Sequence, residues 1–195
     1  MKYAGLIGLL AAVLTGAALG ARVRPASGPS AAACGGSLWG MKTLSDRQRY
    51  VVNLAPRSTT IGAILGRQAP ARVPTGRSTA FQRQTWEVPA SITSYRKEAG
   101  GVRMILYDHE SYMNAVIPSP SCLPKSARNR QAMLDAWKRF VGCTHPTDSW
   151  QPLGAVGSVR GVGFWSGQRS GRGQASNGAE LHPVTGFRPV VGCGD

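Results

Sequence analysis

The chain has 195 residues, of which 42% are hydrophobic, and its formal net charge at pH 7 is +14. This length suits one domain of ordinary size and excludes a domain too small to bury a hydrophobic core of its own. Most of the 23 basic residues are arginine, and they are spread along the chain, which excludes a basic tail. Such a surface attracts polyanions, namely nucleic acid, acidic polysaccharide, anionic lipid or cell wall. An arginine-rich coding bias that only keeps the protein soluble is the alternative explanation.

Residues 1–20 have the composition of a secretory signal peptide. Lys2 supplies a positive charge, residues 3–19 are apolar or small, and the last three residues form a small-x-small cleavage site. A transmembrane anchor is the alternative, but an apolar span of about 17 residues is at the short end of a bilayer crossing. A lipoprotein signal ending at Cys34 is disfavoured, because two arginines and a proline separate this cysteine from the apolar run. We therefore expect a secreted, monomeric protein with no stable membrane span after cleavage.

The segment between the signal and residue 80 is predicted to hold little regular structure. Residues 21–41 are rich in Ala, Gly, Pro and Ser, which predicts a disordered leader or linker. Residues 42–80 are predicted to form a helical and extended segment. Its predicted elements are a short helix over 47–54 capped by Ser45 and Asp46, a second short turn or helix over 59–65, and an extended surface segment over 67–77.

Residues 81–195 are predicted to form a mainly β domain with one principal helix. Apolar and polar residues alternate along several runs, as they do in half-buried strands. The predicted elements are strands over 81–98, 102–107 and 112–117, a helix over 125–141 capped by Ser126, and strands over 153–165 and 179–191. Three strands, one helix and two strands is the order of an OB fold, a five-stranded Greek-key barrel. A short open sheet packed on a helix is the competing architecture.

The four cysteines point to two disulfide bonds, because an even count after a signal peptide is typical of oxidised secreted domains. They are Cys34, Cys122, Cys143 and Cys193. None of their spacings is a CxxC, so we expect no zinc site, and we expect no cofactor. Three connectivities are possible. Cys122 and Cys143 bracket the predicted helix while the other two lie near the ends of the mature chain, which favours the pairing 122–143 with 34–193.

Three segments carry a resemblance to a known family: TLSDRQRYVVNLAPRSTT (43–60), FQRQTWEVPASITSYRKE (81–98), and GVGFW followed by NGAELHPVTG (161–165 and 177–186). From about residue 42 to 191 the chain resembles an uncharacterised family of secreted, OB-fold-like bacterial domains. The resemblance implies a fold and secretion, but no reaction.

The predicted hairpin is also similar, more distantly, to the staphylococcal-nuclease-like branch of OB folds, where an acid-rich turn after the first strand helps to bind a metal. This chain has Ala99-Gly100-Gly101 at that turn. It also has Ser166 and Arg169 where related chains carry an aspartate and a histidine. Both departures remove potential metal ligands and acid–base groups, which weakens the case for catalysis.

Glu180 and His182 are the first candidate site. Residues i and i+2 of a strand point to the same face, so the acid and the imidazole are expected to project side by side. They could act as a general acid–base pair, or as metal ligands together with Asp108 or Asn177. In the structural alternative, Glu180 pairs with a neighbouring arginine and His182 bonds the backbone.

The loop over 166–178 and the aromatic residues of the barrel supply two further candidates. In the loop, glycines let backbone N–H groups approach an anion, and Arg169 and Arg172 could clamp a phosphate or carboxylate. The alternative is a mobile, solvated loop. The aromatics could stack bases or sugars beside a track of arginines, although some would instead fill the core. The proposed platform is Tyr95, Tyr107, Tyr112, Phe164 and Trp165 with Arg83, Arg96, Arg103 and Arg160, and the expected core aromatics are Trp86, Trp137 and Phe140.

Taken together, the sequence predicts a secreted basic binding module for an anionic polymer, most simply single-stranded nucleic acid. The alternatives are a nuclease-like hydrolase centred on Glu180 and His182, and a structural or protein-interaction domain of the cell envelope. Convergence of Glu180, His182, Asp108 and Arg103 in one pocket would favour the enzyme. The predicted ligand-binding residues are Arg103, Tyr107, Arg160, Trp165, Arg169, Arg172 and Asn177.

Overall fold

A computed structural model describes residues 34–168 and 170–193. The predicted signal peptide, residues 21–33 of the predicted linker, and Arg169 lie outside these ranges. The described chain is mainly β, with few helices, as the sequence predicts. The strands are β1 (Asn53–Ser58), β2 (Gln84–Glu98), β3 (Gly101–Asp108), β4 (Ser111–Pro118), β5 (Gln151–Trp165) and β6 (Ala179–Val191), and the α-helices are α1 (Trp39–Lys42), α2 (Ile61–Leu65) and α3 (Arg130–Gly142).

Strands β2 to β6 each pair with two others of the set. β2 is antiparallel to β3 and to β5, β3 is antiparallel to β4, and β5 is antiparallel to β6. A short parallel contact joins β4 to β6, where Asn114 faces Glu180 and Ala115 faces Leu181. β1 runs parallel to the first part of β2. The side chains on one face of these strands form the main hydrophobic core, with Met104, Ala115 and Leu181 among its fully buried members.

The sixth strand corrects the prediction of five. The helix expected over 47–54 is absent: Arg49–Val51 is a 3₁₀ turn, and β1 begins at Asn53. Tyr50 and Val51, which suggested an apolar helical face, are exposed. β1 instead pairs with Gln84–Glu87 of β2, a non-local contact that outcompetes a weak helical spacing.

The two helices that flank the strands differ in how well the sequence predicts them. The short helix expected over 59–65 is present as α2, and the Thr60 hydroxyl caps it by accepting from the Ala63 N–H at 3.1 Å. The long helix is shorter than expected, because α3 begins at Arg130 rather than at Lys125. Asn129, in a left-handed conformation, precedes it in place of the predicted cap Ser126.

All four cysteines are paired, as predicted, but in a different connectivity. The bonds are Cys34–Cys122 and Cys143–Cys193. The predicted pairing 122–143 with 34–193 is wrong, because α3 spans about 20 Å and holds its two ends apart. α3 packs along β6, which brings Cys143 at the helix end to Cys193 just beyond that strand. Within the described ranges, no helix is long and apolar enough to cross a membrane.

Residues 34–41, the end of the predicted linker, pack onto the sheet. Trp39 is buried, and its indole N–H donates to the carbonyl of Cys122 at 2.8 Å. Gly100 makes this packing possible: a Cβ there would lie 2.1 Å from the Cys34 carbonyl oxygen and 2.4 Å from the Trp39 ring. The glycine turn between β2 and β3 therefore seats the N-terminal segment.

Arg77 ties the N-terminal segment to the start of β2. Its side chain is fully buried and forms an ion pair with Asp46 at 2.8 Å. It also donates to the carbonyl oxygens of Met41 and Gln82 at 2.9 and 3.1 Å. One guanidinium group thus links residues 41–46 to residues 77–82, two segments that are distant in the sequence.

Candidate anion-binding site

The register of the strands gathers a polar cluster on the face opposite to the main core. Arg96 faces Arg103 across β2 and β3, and Glu180 faces Asn114 on one side and Phe164 on the other. Directly opposed residues on paired strands point to the same side of the sheet. These side chains, which are distant in the sequence, therefore share one surface.

This cluster forms part of the lining of a cavity of about 560 Å³, which we call the basic cavity. Residues 35–38 of the N-terminal segment contribute one wall, and Ser166 with residues of the 170–174 stretch contribute another. Four cationic side chains line it against one lining carboxylate, that of Glu180. The cations are Lys42, Arg96, Arg103 and Arg172.

Two carboxylates hold Arg103 in place. Its Nε donates to Glu98 at 2.7 Å and its Nη1 donates to Glu180 at 3.2 Å. Burial alone lowers the pKa of Arg103, but the negative charges of Glu180 and Glu98 outweigh this and raise it. The guanidinium is therefore a permanent, fixed cation that remains 21% exposed.

Glu180 and His182 are hydrogen-bonded beneath Arg103, and both side chains are almost fully buried. Burial by itself raises the pKa of Glu180, but the hydrogen bond with His182 and the nearby positive charges outweigh it and lower the pKa to about 2. Burial lowers the pKa of His182, although the carboxylate opposes this. We infer a neutral imidazole that donates from Nδ1 to Glu180 at 3.1 Å.

The geometry suits positioning better than proton transfer. A carboxylate with a pKa of about 2, whose oxygens accept from Arg103 and His182, is a weak base at neutral pH. His182 packs against the rings of Trp39 and Phe164 and is not part of the cavity lining. The pair therefore orients Arg103 toward the cavity.

The further metal ligands considered from the sequence lie elsewhere. Asp108 contacts His109 in the turn between β3 and β4. The Asn177 amide donates to the Ile64, Leu65 and Arg67 carbonyls, which fixes the end of α2. Within the described ranges, no three His, Cys, Asp or Glu side chains form a metal-binding group. Of the four residues whose convergence in one pocket would favour an enzyme, Arg103 and Glu180 line the basic cavity, His182 contacts Glu180 from outside the lining, and Asp108 lies elsewhere.

Trp150 adds an aromatic element to the basic cavity that the sequence analysis missed. The Arg96 and Arg172 guanidinium carbons lie 4.9 and 5.4 Å from the centre of its ring. Such cation–π contacts hold the two arginines against the indole. Arg96 also donates to Glu98 at 3.0 Å, so its guanidinium is held both over the Trp150 ring and by this carboxylate.

The predicted aromatic platform is not assembled. Tyr95, Phe164 and Trp165 are buried, and Trp165 packs on Phe81 and donates to the Thr79 hydroxyl at 3.0 Å. Tyr107 and Tyr112 contact each other at the opposite end of the β3–β4 hairpin from Arg103, with ring centres 4.8 Å apart. The expected core aromatics Trp86 and Phe140 are buried, and Trp137 packs against the same core.

Two of the predicted arginines have other roles. Arg160 pairs with Glu87 at 3.0 Å and lines a separate groove between α3 and strands β5 and β6. Arg83 donates to the backbone carbonyls of Arg77 and Ser78.

Several residues of the cavity were not predicted. The Arg96-x-Glu98 spacing on one strand face was a usable signal for an ion pair. Asn114 was also visible as a polar residue inside the apolar run of β4. Lys42, the first residue of the segment predicted to be helical and extended, had no such signal.

Comparisons with known proteins give little further information. No family model matches the chain, and no curated protein matches it. Among solved structures, the chain is similar to a provisionally assigned aspartyl-tRNA synthetase from Leishmania major Friedlin, with 15% identity and a TM-score of 0.41. The match covers 72% of this chain and 22% of that chain, and nothing below depends on it.

Proposed function

We propose that this protein is a basic binding module for an anionic polymer, most simply single-stranded nucleic acid, and that the polymer binds in the basic cavity. The observation that supports this most directly is the fixed guanidinium of Arg103. Two of its nitrogens are bound by Glu98 and Glu180, and within the described ranges its Nη2 has no protein partner. A guanidinium held in this way loses little conformational freedom when it binds a phosphate.

The environment of Trp150 supports recognition of anionic groups rather than of bases. The indole is already contacted by Arg96 and Arg172, and three of the five candidate stacking aromatics are buried. Affinity therefore comes from the backbone of the polymer, without the stacking that otherwise contributes about 1–3 kcal/mol per base. We expect weak sequence preference and strong dependence on salt.

The arrangement of strands also supports the proposal. Strands β2 to β6, with α3 between β4 and β5, pair in the order of an OB fold, to which β1 is added, and we propose an OB-like barrel. Such folds bind oligonucleotides and oligosaccharides on their second and third strands, which here are β3 and β4 with Arg103 and Asn114. The two disulfides are compatible with secretion.

Binding is expected to weaken steeply with salt. If Arg96, Arg103 and Arg172 each contact one phosphate, affinity for a single strand falls about 20-fold between about 50 and 200 mM salt. Fluorescence anisotropy with a labelled oligonucleotide, titrated at several salt concentrations, measures this. Absent binding, or an affinity that does not change with salt, contradicts the proposal.

Arg172→Gln tests the location of the site. Arg172 is exposed and lines the cavity, so its loss should weaken binding and lower the slope of log affinity against log salt by about 0.7. Arg57→Gln is the matched control, because Arg57 is exposed on β1, outside the cavity lining, and its loss removes the same charge. Equal effects of the two substitutions would indicate non-specific attraction to the whole basic surface.

The nuclease-like alternative retains one supporting observation, the hydrogen bond between Glu180 and His182 at the edge of the basic cavity. If it holds, labelled oligonucleotides are cleaved during the same titrations, and Glu180→Gln abolishes cleavage while the fold persists. Oligonucleotides that stay intact with and without divalent cations remove this alternative.

A further inference from the structure

Asn114 is a buried polar side chain in the lining of the basic cavity. It is 6% exposed, and no described residue offers its Oδ1 a hydrogen bond. Within the described ranges, its Nδ2 has none either, and the neighbouring residues of β4 are apolar. Buried side-chain amides are nearly always bonded, so an unbonded one that faces a cavity points to a group supplied by a ligand.

The chemistry of an amide restricts what that group can be. Oδ1 requires a donor, and an ionised phosphate or carboxylate has none. A hydroxyl both donates and accepts, so it can pair with the amide in either of its two orientations. The fitting ligand therefore carries a hydroxyl close to its anionic group.

The cross-strand register places the residue that requires a hydroxyl, Asn114, close to the cation that would bind the anionic group, Arg103. Asn114 faces Glu180, and Glu180 holds Arg103, the fixed cation of the cavity. In RNA, the 2′-hydroxyl is attached to the carbon next to the one that bears the 3′-phosphate, and DNA lacks this hydroxyl. We infer that the basic cavity binds RNA in preference to DNA, with Asn114 pairing to the 2′-hydroxyl. This inference rests on the proposed function.

The test compares RNA and DNA oligonucleotides of cytosine alone, which avoids the methyl difference between uracil and thymine. The wild-type protein is expected to bind RNA about 3- to 10-fold more tightly, the range given by one net hydrogen bond. A 2′-O-methyl oligonucleotide, which keeps the oxygen but loses the donor, should bind like DNA. This comparison uses only the intact protein, so it does not depend on whether a variant folds.

Asn114→Leu assigns the preference to this residue. The ratio of RNA to DNA affinity should fall to about one, chiefly through the loss of RNA affinity. Asn53→Leu, at an exposed position on β1, is the matched control and should keep the ratio.

The possible failures are distinguishable. Equal binding of RNA and DNA by the wild-type protein overturns this inference and leaves the proposed function standing. Binding of an acidic polysaccharide without binding of RNA also overturns it, and absence of any polyanion binding overturns both.

Discussion

Replacing Arg77 with methionine is expected to destabilise the protein by about 3–5 kcal/mol. The Arg77 side chain is fully buried, and its loss leaves Asp46 without its ionic partner and removes one donor from each of the Met41 and Gln82 carbonyls. Removing one partner of a buried ion pair is costly because the other charge stays desolvated. Urea denaturation followed by tryptophan fluorescence measures the change.

Arg72→Met is the matched control for this prediction. Arg72 lies in the same segment but is exposed, so its replacement should change the free energy of unfolding by no more than about 0.5 kcal/mol. If both variants unfold at the same urea concentration, Arg77 does not tie residues 41–46 to residues 77–82.

The second large effect is a loss of stability in acid. The folded pKa of Glu180 is about 2 and its ordinary value is 4.5, so the unfolded chain takes up the proton first as the pH falls. Its stabilisation is complete above pH 4.5 and disappears by about pH 2, and it amounts to about 3 kcal/mol. Glu98, whose pKa is lowered by Arg103 and Arg96 despite its burial, acts in the same direction.

His182 extends to higher pH the range over which acid lowers the stability of the protein. Burial lowers its folded pKa below the ordinary value of 6.5, so protonation also favours the unfolded chain, and this contribution declines as the pH falls below about 6.5. Urea unfolding at a series of pH values should show stability falling from near neutrality downward. Glu180→Gln should flatten the lower part of this curve, whereas Glu110→Gln, at an exposed position, should not. A free energy of unfolding that does not change between pH 7 and 3 contradicts the lowered pKa values of Glu180 and His182.

The parts of the fold that could be predicted are those with a local signal. Alternating apolar residues located β2 to β6, and the bounds of β6 agree with the prediction. β1 could not be found in this way, because it is formed by pairing with Gln84–Glu87 and not by its own pattern. The disulfide connectivity was missed for the same reason: it depends on how α3 packs along β6.

In the candidate site, too, only the features with a local sequence signal could be predicted. The contact between Glu180 and His182 follows from their spacing on one strand, and it is present. Asn114 and Trp150 enter the site only through pairing between strands and through docking of a loop, which no short window of sequence contains. Arg160, chemically identical to Arg103, lies in another groove, where it pairs with Glu87.

The absence of a side chain at Gly100, in the turn between β2 and β3, has a consequence for the cavity wall. Any side chain there would meet the Cys34 carbonyl and the Trp39 ring, which hold one wall of the basic cavity. An acidic, metal-binding residue at position 100 and an N-terminal segment that closes this side of the sheet are therefore mutually exclusive. A larger residue at this position would displace the N-terminal segment and open that wall of the basic cavity.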